Sequence, residues 1–420
     1  MLEKKINDNS IKYLNFLLLS FPILLISGPF LTDTVVIVMS IFFVMNYRNF
    51  DFDKKLNSFL VLTIIFYILI NISSLLSDNI YISLKSSLFY FRFIFFAFVI
   101  AILVQKIKED INLLSWFVNI FYFIFIFLFI DSSLQFITGE NLFGYKVLGH
   151  LKSERVSSIF GDKLILGSFI SKTMFIFIGL LHAQESLNYK SNTDFKVFVI
   201  IQLSMVTILI SGERSPFLLA LFGTIIYYII NKKIKLILTL FLSISIFFGI
   251  IYLNQSSKDR YLSKYKILYE NIFIDKQIGQ SKHNLHFKTA LNMFEDNKLF
   301  GHGIKSFRSK CNLIKYNEGN KSCSTHPHNY YIQLLSSSGI ITFSILISFF
   351  IYLSFEIYKS FKNYYFNNKL SNEKNCYLIS SFLSIFPFTT SGSFFNNWIS
   401  ATIFLSLGFL ISHFKTITYK

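Results

Sequence analysis

Apolar runs of about 18 residues or more recur along this chain, from near Tyr13 to near His413. A water-soluble core could not cover so many of them. In a bilayer each becomes a helix that satisfies its own backbone hydrogen bonds. Hydrophobic residues make up 53% of the 420 positions. The chain therefore reads as an all-α polytopic membrane protein, one membrane domain over residues 1–420. The runs place about twelve helices near 13–28, 31–46, 57–76, 84–104, 112–132, 163–182, 195–211, 215–231, 234–253, 329–357, 376–391 and 397–413. The first run has the length of a signal peptide's apolar segment, but the spans after it argue for a retained first helix.

Lysine and arginine set the expected orientation. With the N-terminus inside, the inner segments are Lys4–Lys12, Arg48–Lys55, Lys106–Lys108, Lys190–Lys196, Lys232–Lys235, Lys359–Lys374 and Lys415–Lys420, all basic. The opposing short loops near Gly28, Ser77 and Thr390 carry neither residue. Both termini are then cytoplasmic, and 133–162, 212–215 and 254–328 lie outside. The last of these is one large loop between the ninth and tenth helices. It holds 13 Lys+Arg against 6 Asp+Glu, a net of +7. Long loops are exempt from the positive-inside rule. Either the lysine-rich composition accounts for this excess, or an anionic ligand binds at the outer face. The formal net charge of +17 does not point to nucleic acid, because most of it sits in short loops at membrane edges.

Arginine is distributed differently from lysine. There are six arginines against 34 lysines, and only Arg48 falls inside. Arg155, Arg214, Arg260 and Arg308 fall in outer segments, and Arg92 on the outer half of the fourth helix. Arginine's planar fork matches phosphate oxygens two at a time, which lysine cannot do. Several forks at the outer face suit a pyrophosphate; headgroup contacts are the plainer reading for any one of them. Arg92 is costly in hydrocarbon, so it is expected to face the bundle interior or a wet cavity.

The polar stretch Ser281–Gly339 concentrates the remaining chemistry, with five of the eight histidines and two of the three cysteines. Phe287, Ala290, Leu291 and Phe294 have i, i+3, i+4, i+7 spacing and predict an amphipathic helix from Asn284 to Asp296, stopped at Gly301-His302-Gly303. His283 and His286 then fall on a neighbouring face. Cys311 and Cys323 suggest a disulfide in an oxidising compartment. The competing metal site from Cys311, Cys323, His326 and His328 does not match the usual zinc spacings. Cys376 reads as structural. Pro327 pre-organises the turn into the tenth helix, with His328 and Asn329 where loop meets bundle. His328 suits proton abstraction from a sugar hydroxyl. The plainer reading of His328-Asn329 is a helix cap with a hydrogen-bonded histidine.

At these residues the chain resembles the O-antigen ligase family and the related O-antigen polymerases. THPHNYYIQLLSSSGI, from Thr325, is similar to the family's His-Asn motif at the end of its large periplasmic loop. HFKTALNMFEDNKLFGHGIKSFRSKC, from His286, resembles the segment before it. SGERSPFLLAL, from Ser211, resembles the short arginine-bearing outer loop; DSSLQFITGENLFG, from Asp131, and ERVSSIFGDKLILGSF, from Glu154, resemble the segments around the first outer loop. Two departures stand out. Ser337 sits where the family usually has Glu. Where an arginine often precedes the loop helix, this chain offers Lys282, His283 and His286, so Arg308 is the substitute, with Arg260 behind it.

The resemblance implies a GT-C-like inner-membrane glycosyltransferase, inverting, metal-independent and without cofactor, its active face periplasmic. The donor would be a glycan on undecaprenyl pyrophosphate, and the acceptor lipid A–core or another glycan. Arg214, with Arg308 or Arg155, would hold the pyrophosphate and stabilise its departing charge. His286, Arg260 and Arg92 are further phosphate candidates. His328 would orient or deprotonate the attacking hydroxyl, supported by His326 and Asn329. A polymerase that joins repeat units shares this donor chemistry. A transporter or flippase for the lipid-linked glycan is the reading from another class; it would line a path through the helices with its charges.

Overall fold

In the computed structural model of the chain, the described residues are 8–52, 54–148, 155–187, 192–231, 238–253, 282–367, 371–414 and 418–419. Each apolar run becomes a helix. In chain order these are α1 (Asp8–Ser27), α2 (Pro29–Asn46), α3 (Lys54–Leu75), α4 (Ile80–Ser87), α5 (Phe91–Glu109), α6 (Ile111–Thr138), α7 (Leu166–Leu187), α8 (Thr193–Ser211), α9 (Arg214–Ile230) and α10 (Leu238–Leu253). Then come a loop helix (Lys282–Asp296), a broken helix (Tyr330–Asn367), a penultimate helix (Asn372–Ser384) and a last helix (Asn397–Ile411). Among the described residues, eight helices are long and apolar enough to cross a membrane. Arg214–Ile230 and Asn397–Ile411 are shorter apolar helices. Of the about twelve spans expected, eight reach that length among the described residues, and the described parts of the other runs form shorter helices.

One continuous apolar cluster runs from Leu14 to Ile411. Phenylalanine fills much of it: Phe121 stacks on Phe177 at 5.4 Å and Phe350 on Phe382 at 5.0 Å. The penultimate helix packs chiefly on α7 and the last helix on α5. At Gly179 the approach is so close that a Cβ would overlap the Tyr377 ring. One end of the bundle is tied by Lys108–Glu373 (2.9 Å), His413–Glu373 (3.0 Å) and Asn375–Asn231 (2.7 Å). Phe50–Asp51 pairs antiparallel with Thr418–Tyr419. The opposite end carries the polar loops.

At that end the Asp131–Gln135 turn of α6 folds the first outer loop. The buried Asp131 carboxylate accepts from Leu142 N (2.9 Å), Asn141 Nδ2 (3.2 Å) and the Ser158 hydroxyl. Gln135 Oε1 accepts from Ser157 N (3.1 Å) and Ser158 N (2.7 Å). A buried carboxylate in such a place must be saturated with donors, and the loop backbone supplies them.

The Tyr330–Asn367 helix does not run unbroken. Gly339, at φ 76°, splits it. The loop after the loop helix docks into the gap: His302 N donates to Ser336 O (3.0 Å), Gly303 N to Ser337 O (2.9 Å) and Ile340 N to Lys298 O (2.8 Å). These bonds satisfy backbone groups that the break frees. A side chain at 339 would land on Leu299's carbonyl oxygen.

The loop helix forms over Lys282–Asp296, close to the predicted Asn284–Asp296, but its packed face differs. Its buried residues are His286, Thr289, Ala290 and Met293, while Leu291 is exposed. The i, i+3, i+4, i+7 pattern holds one position earlier, with a histidine and a threonine in it. Ala290 and Met293 join Phe307, Cys311 and Tyr316 in a small separate core against Ile332 of the broken helix. Cys311 and Cys323 are disulfide-bonded, their Cα atoms 5.1 Å apart. Around this core, Lys310 pairs with Asp78 (2.6 Å) and Lys315 with Asp296 (2.9 Å).

Candidate functional site

Four imidazoles gather where the loop helix meets the start of the broken helix. His328 is at the centre: its ring centroid lies 4.2 Å from His326, 5.2 Å from His283 and 5.3 Å from His286. His283 and His286 arrive one turn apart on the loop helix, His286 buried on its packed side and His283 more exposed in its first turn. His328 sits at φ 60°, a left-handed conformation uncommon for a residue with a side chain. Its neighbours hold it there. Ser391 N donates to His328 O at 2.8 Å. Asn329 Oδ1 caps the helix, accepting from Tyr331 N (3.0 Å) and Ile332 N (3.2 Å), while its Nδ2 donates to Pro387 O (2.7 Å). Asn329 therefore acts as a cap and a tie. Among the described residues no three His, Cys, Asp or Glu side chains are arranged to hold a metal ion.

Burial pushes the His328 imidazole down to about 4, and His326, His283 and His286 push it the same way. Burial also lowers His283, helped by Arg214 and Lys282. His326 and His286 are lowered by burial first, with Arg308 and His283 respectively among the nearby positive or protonatable groups. At neutral pH the cluster is uncharged and able to accept protons.

His328, His326 and His283 face a cavity of 470 Å³ with Arg155, Arg214, Lys172 and Glu213 on its walls. Arg214 is the first residue of α9, presented by a tight turn in which Gly212 (φ 69°) ends α8. Arg155 is delivered by the first outer loop, whose backbone pairs with Leu148 in both directions (2.9 and 2.7 Å). Glu213 reaches the start of α7, where Gly167 N (2.7 Å) and the Ser168 hydroxyl (2.9 Å) donate to it. A carboxylate suits a helix N-terminus. Burial nonetheless raises Glu213 to about 7, against the opposing pull of the Ser168 and Gly167 hydrogen bonds and of Arg155. The floor is the 385–396 segment, tied by Ser215–Thr390 (2.9 Å) and by Gln333, which donates to Ser393 (2.9 Å) and accepts from Phe394 N (2.9 Å).

A second cavity of 780 Å³ adjoins the first, and His326, Trp398 and Gly392 line both. Arg308 opens on this second chamber, not on the one that holds Arg214, together with Lys305 and Lys163. Arg92 reaches neither lining. It sits in the first turn of α5, further toward the helix end than the sequence suggested, and pairs with Asp33 at 3.0 Å. That answers the cost of its charge with a carboxylate, not a wet cavity. His286 is buried, packed between His328 and Phe307, and is not part of either lining. Arg260 lies outside the described residues. Ser337 donates its hydroxyl to Gln333 O (2.6 Å), and the carboxylate in the cavity comes from Glu213 instead.

Sequence reasoning passed over Lys172, Glu213, Lys305 and the 389–393 turn. Lys172 carried the same signal as Arg92, a basic residue inside an apolar run. Glu213 adjoins an arginine already singled out. Lys305 and the turn had no local signal; only the fold brings them to His326.

A family model described as O-antigen ligase matches residues 198–347, from within α8 through the histidine cluster to the second half of the broken helix. No curated protein matches the chain.

Proposed function

We propose, for a chain that belongs through residues 198–347 to the O-antigen ligase family, a specific form of the membrane glycosyltransferase activity the family implies. The enzyme takes a glycan from undecaprenyl pyrophosphate and joins it to lipid A–core or a related acceptor at the periplasmic face of the inner membrane. The observation that carries this reading is that an uncharged His328 and the cations Arg214, Arg155 and Lys172 line one cavity.

The donor pyrophosphate lies in the 470 Å³ cavity. Arg214 offers its fork to the phosphate oxygens, with Arg155 and Lys172 completing a cationic wall. His328 takes the proton of an acceptor hydroxyl. The hydroxyl oxygen bonds to the anomeric carbon as the bond from that carbon to the pyrophosphate oxygen breaks. The electron pair leaves with the pyrophosphate, whose new charge the three cations stabilise without reorganising. Attack opposite the leaving group inverts the anomeric centre. The cations supply the charge neutralisation that a divalent metal gives to other phosphate chemistries.

The basic inner loops favour a cytoplasmic location for both termini and an outward-facing cavity. Transfer in proteoliposomes tests the reading, with lipid A–core or a second donor molecule as acceptor, comparing wild type with His328→Ala and Arg214→Ala. Transfer to lipid A–core, lost in both variants, supports the ligase. Chain extension on the second donor supports a polymerase, which shares the donor chemistry. Use of neither acceptor, or full activity in the variants, removes the assignment. A transporter would then be the reading to test, although the clustering of cations at one end of the bundle speaks against a charged path across it.

A further inference from the structure

The 780 Å³ chamber has a charge pattern that the donor site does not use. Lys163, Lys305 and Arg308 line it, and among the described residues no aspartate or glutamate does. Other loop cations are neutralised nearby: Lys310 by Asp78 and Lys315 by Asp296. For Lys163, Lys305 and Arg308 no acidic partner occurs among the described residues. Three cations held around one cavity repel each other unless an anion joins them.

Lys305 carries a second, independent sign. Its backbone sits at φ 63°, the left-handed region that a long side chain rarely adopts. Anchors on both sides maintain it: Ile304 is buried, with its carbonyl accepting from Ser83 Oγ at 2.9 Å, and Phe307 is buried in the loop core. Strain kept in place by its surroundings marks a position with a task. Half-buried, and beside Arg308 and Lys85, the Lys305 ammonium is pushed below its usual range. An anion in the chamber would reverse that push.

Other residues lining the chamber are suited to sugar. Trp398 is held by its indole N–H, which donates to Leu25 O at 3.0 Å, and its ring borders both chambers. Tyr145 packs beside Gly161 at the chamber's rim. Flat aromatic faces beside amide groups such as those of Asn396 and Asn397 stack on and hydrogen-bond to pyranose rings. The chamber meets the first at His326, whose ring lies 4.2 Å from that of His328.

We infer that the second chamber is the acceptor site, and that the acceptor is an anionic glycolipid whose phosphate groups are read by Lys305, Arg308 and Lys163. Resting on the donor assignment proposed above, this moves Arg308 from donor to acceptor. The acceptor sugar then extends past Trp398 and His326 and brings its hydroxyl to His328. Two phosphate-bearing sources fit, lipid A–core and a second lipid-linked glycan, and they differ in the final product.

The test uses the full chain in lipid nanodiscs. Binding of lipid A–core, of enzymatically dephosphorylated lipid A–core and of the undecaprenyl-pyrophosphate glycan is measured directly, beside transfer kinetics. Arg308→Gln and Lys305→Gln are expected to weaken lipid A–core binding, and to raise its KM, by about tenfold or more, as for loss of a charge-assisted hydrogen bond. The KM for the donor should stay within about twofold. Lys305→Arg should restore most of the affinity, and dephosphorylated lipid A–core should bind wild type as poorly as native lipid A–core binds the variants. If the same variants instead weaken only a second donor molecule as acceptor, the site stands with that source. Equal weakening of donor and acceptor, or unchanged binding of every probe, overturns the inference. Arg308 is exposed, so its variant separates lost binding from lost fold. If wild type transfers nothing but binds lipid A–core through Arg308, the pyrophosphate chemistry fails while this site survives.

Discussion

The rings of His326 and His328 lie 4.2 Å apart at a 48° tilt, and His326 alone of the pair borders both chambers. His328 faces only the chamber with Arg214. The two residues thus form a hinge point between two cationic spaces, separated in sequence only by Pro327.

Replacing His328 with alanine should lower transfer by about 10²- to 10⁴-fold, the usual contribution of a general base. With the His328 imidazole lowered to about 4 in the free enzyme, kcat/KM measured in a Glu213→Gln background, where the cavity carboxyl no longer titrates, should stay level from neutral pH down to about 5 and fall below that. Bound pyrophosphate favours the protonated ring, so the acid limb of kcat should lie at higher pH than that of kcat/KM. A pH profile of both parameters checks this.

The same lowered imidazole makes a stability prediction. Its folded value, about 4, lies below the ordinary 6.5. Between those values the unfolded chain holds the proton and the folded one does not, so stability rises with pH there. The contribution is complete above the ordinary value and is lost as pH falls toward 4. Thermal unfolding in detergent across this range should show the loss, and His328→Phe should reduce it, with the likewise lowered His326, His283 and His286 supplying the remainder.

Glu213 should govern donor affinity around neutrality. With its carboxyl raised to about 7, it is largely neutral in mild acid. As pH rises through 7 it ionises in the cavity, competes for Arg155 and repels the pyrophosphate. The donor KM should therefore rise with pH in wild type and remain level in Glu213→Gln, which keeps a side-chain oxygen to accept from Gly167.

Gly339→Ala should destabilise the protein by about 2 kcal/mol or more, combining a positive φ with a clash against backbone. The Cβ meets Leu299's carbonyl, and the docked loop that carries Lys305 must move. Melting temperature falls, and acceptor use falls with it.

Reducing the Cys311–Cys323 bond, which closes a separation of 12 residues, should cost about 3 kcal/mol. Its effect should be confined to the loop core around Met293 and Tyr316. Limited proteolysis with and without reductant should show faster cleavage after Lys310 and Lys315, with the bundle intact.

Much of the fold was legible because bilayer physics acts on short windows. Each run from Tyr13 onward had to be a helix, and the loop helix ended ahead of the Gly301–Gly303 turn, as those glycines suggested. The packed face of that helix was misjudged because Phe287 and Leu291 are more apolar than His286 and Thr289. Periodicity ranks residues by polarity and cannot register that the docking surface brings a histidine cluster of its own. Arg92 was expected to face the bundle interior or a wet cavity, and its partner Asp33 could not be named because it is 59 positions away. Gly339 passed as an ordinary helix glycine, since the loop that breaks the helix there comes from Lys298–Gly303.

The chain alone thus determined a multi-pass helical protein, its basic and non-basic ends, and the loop that carries the histidines, since hydropathy and charge are properties of neighbours in sequence. Tertiary structure decided which cations share a cavity. Arg214 and Arg308 looked equivalent as outer arginines, yet they face different chambers, because Gly212 turns one toward Glu213 and the Gly301–Gly303 docking turns the other toward Trp398. That division depends on distances between segments far apart in the chain, which no local pattern encodes.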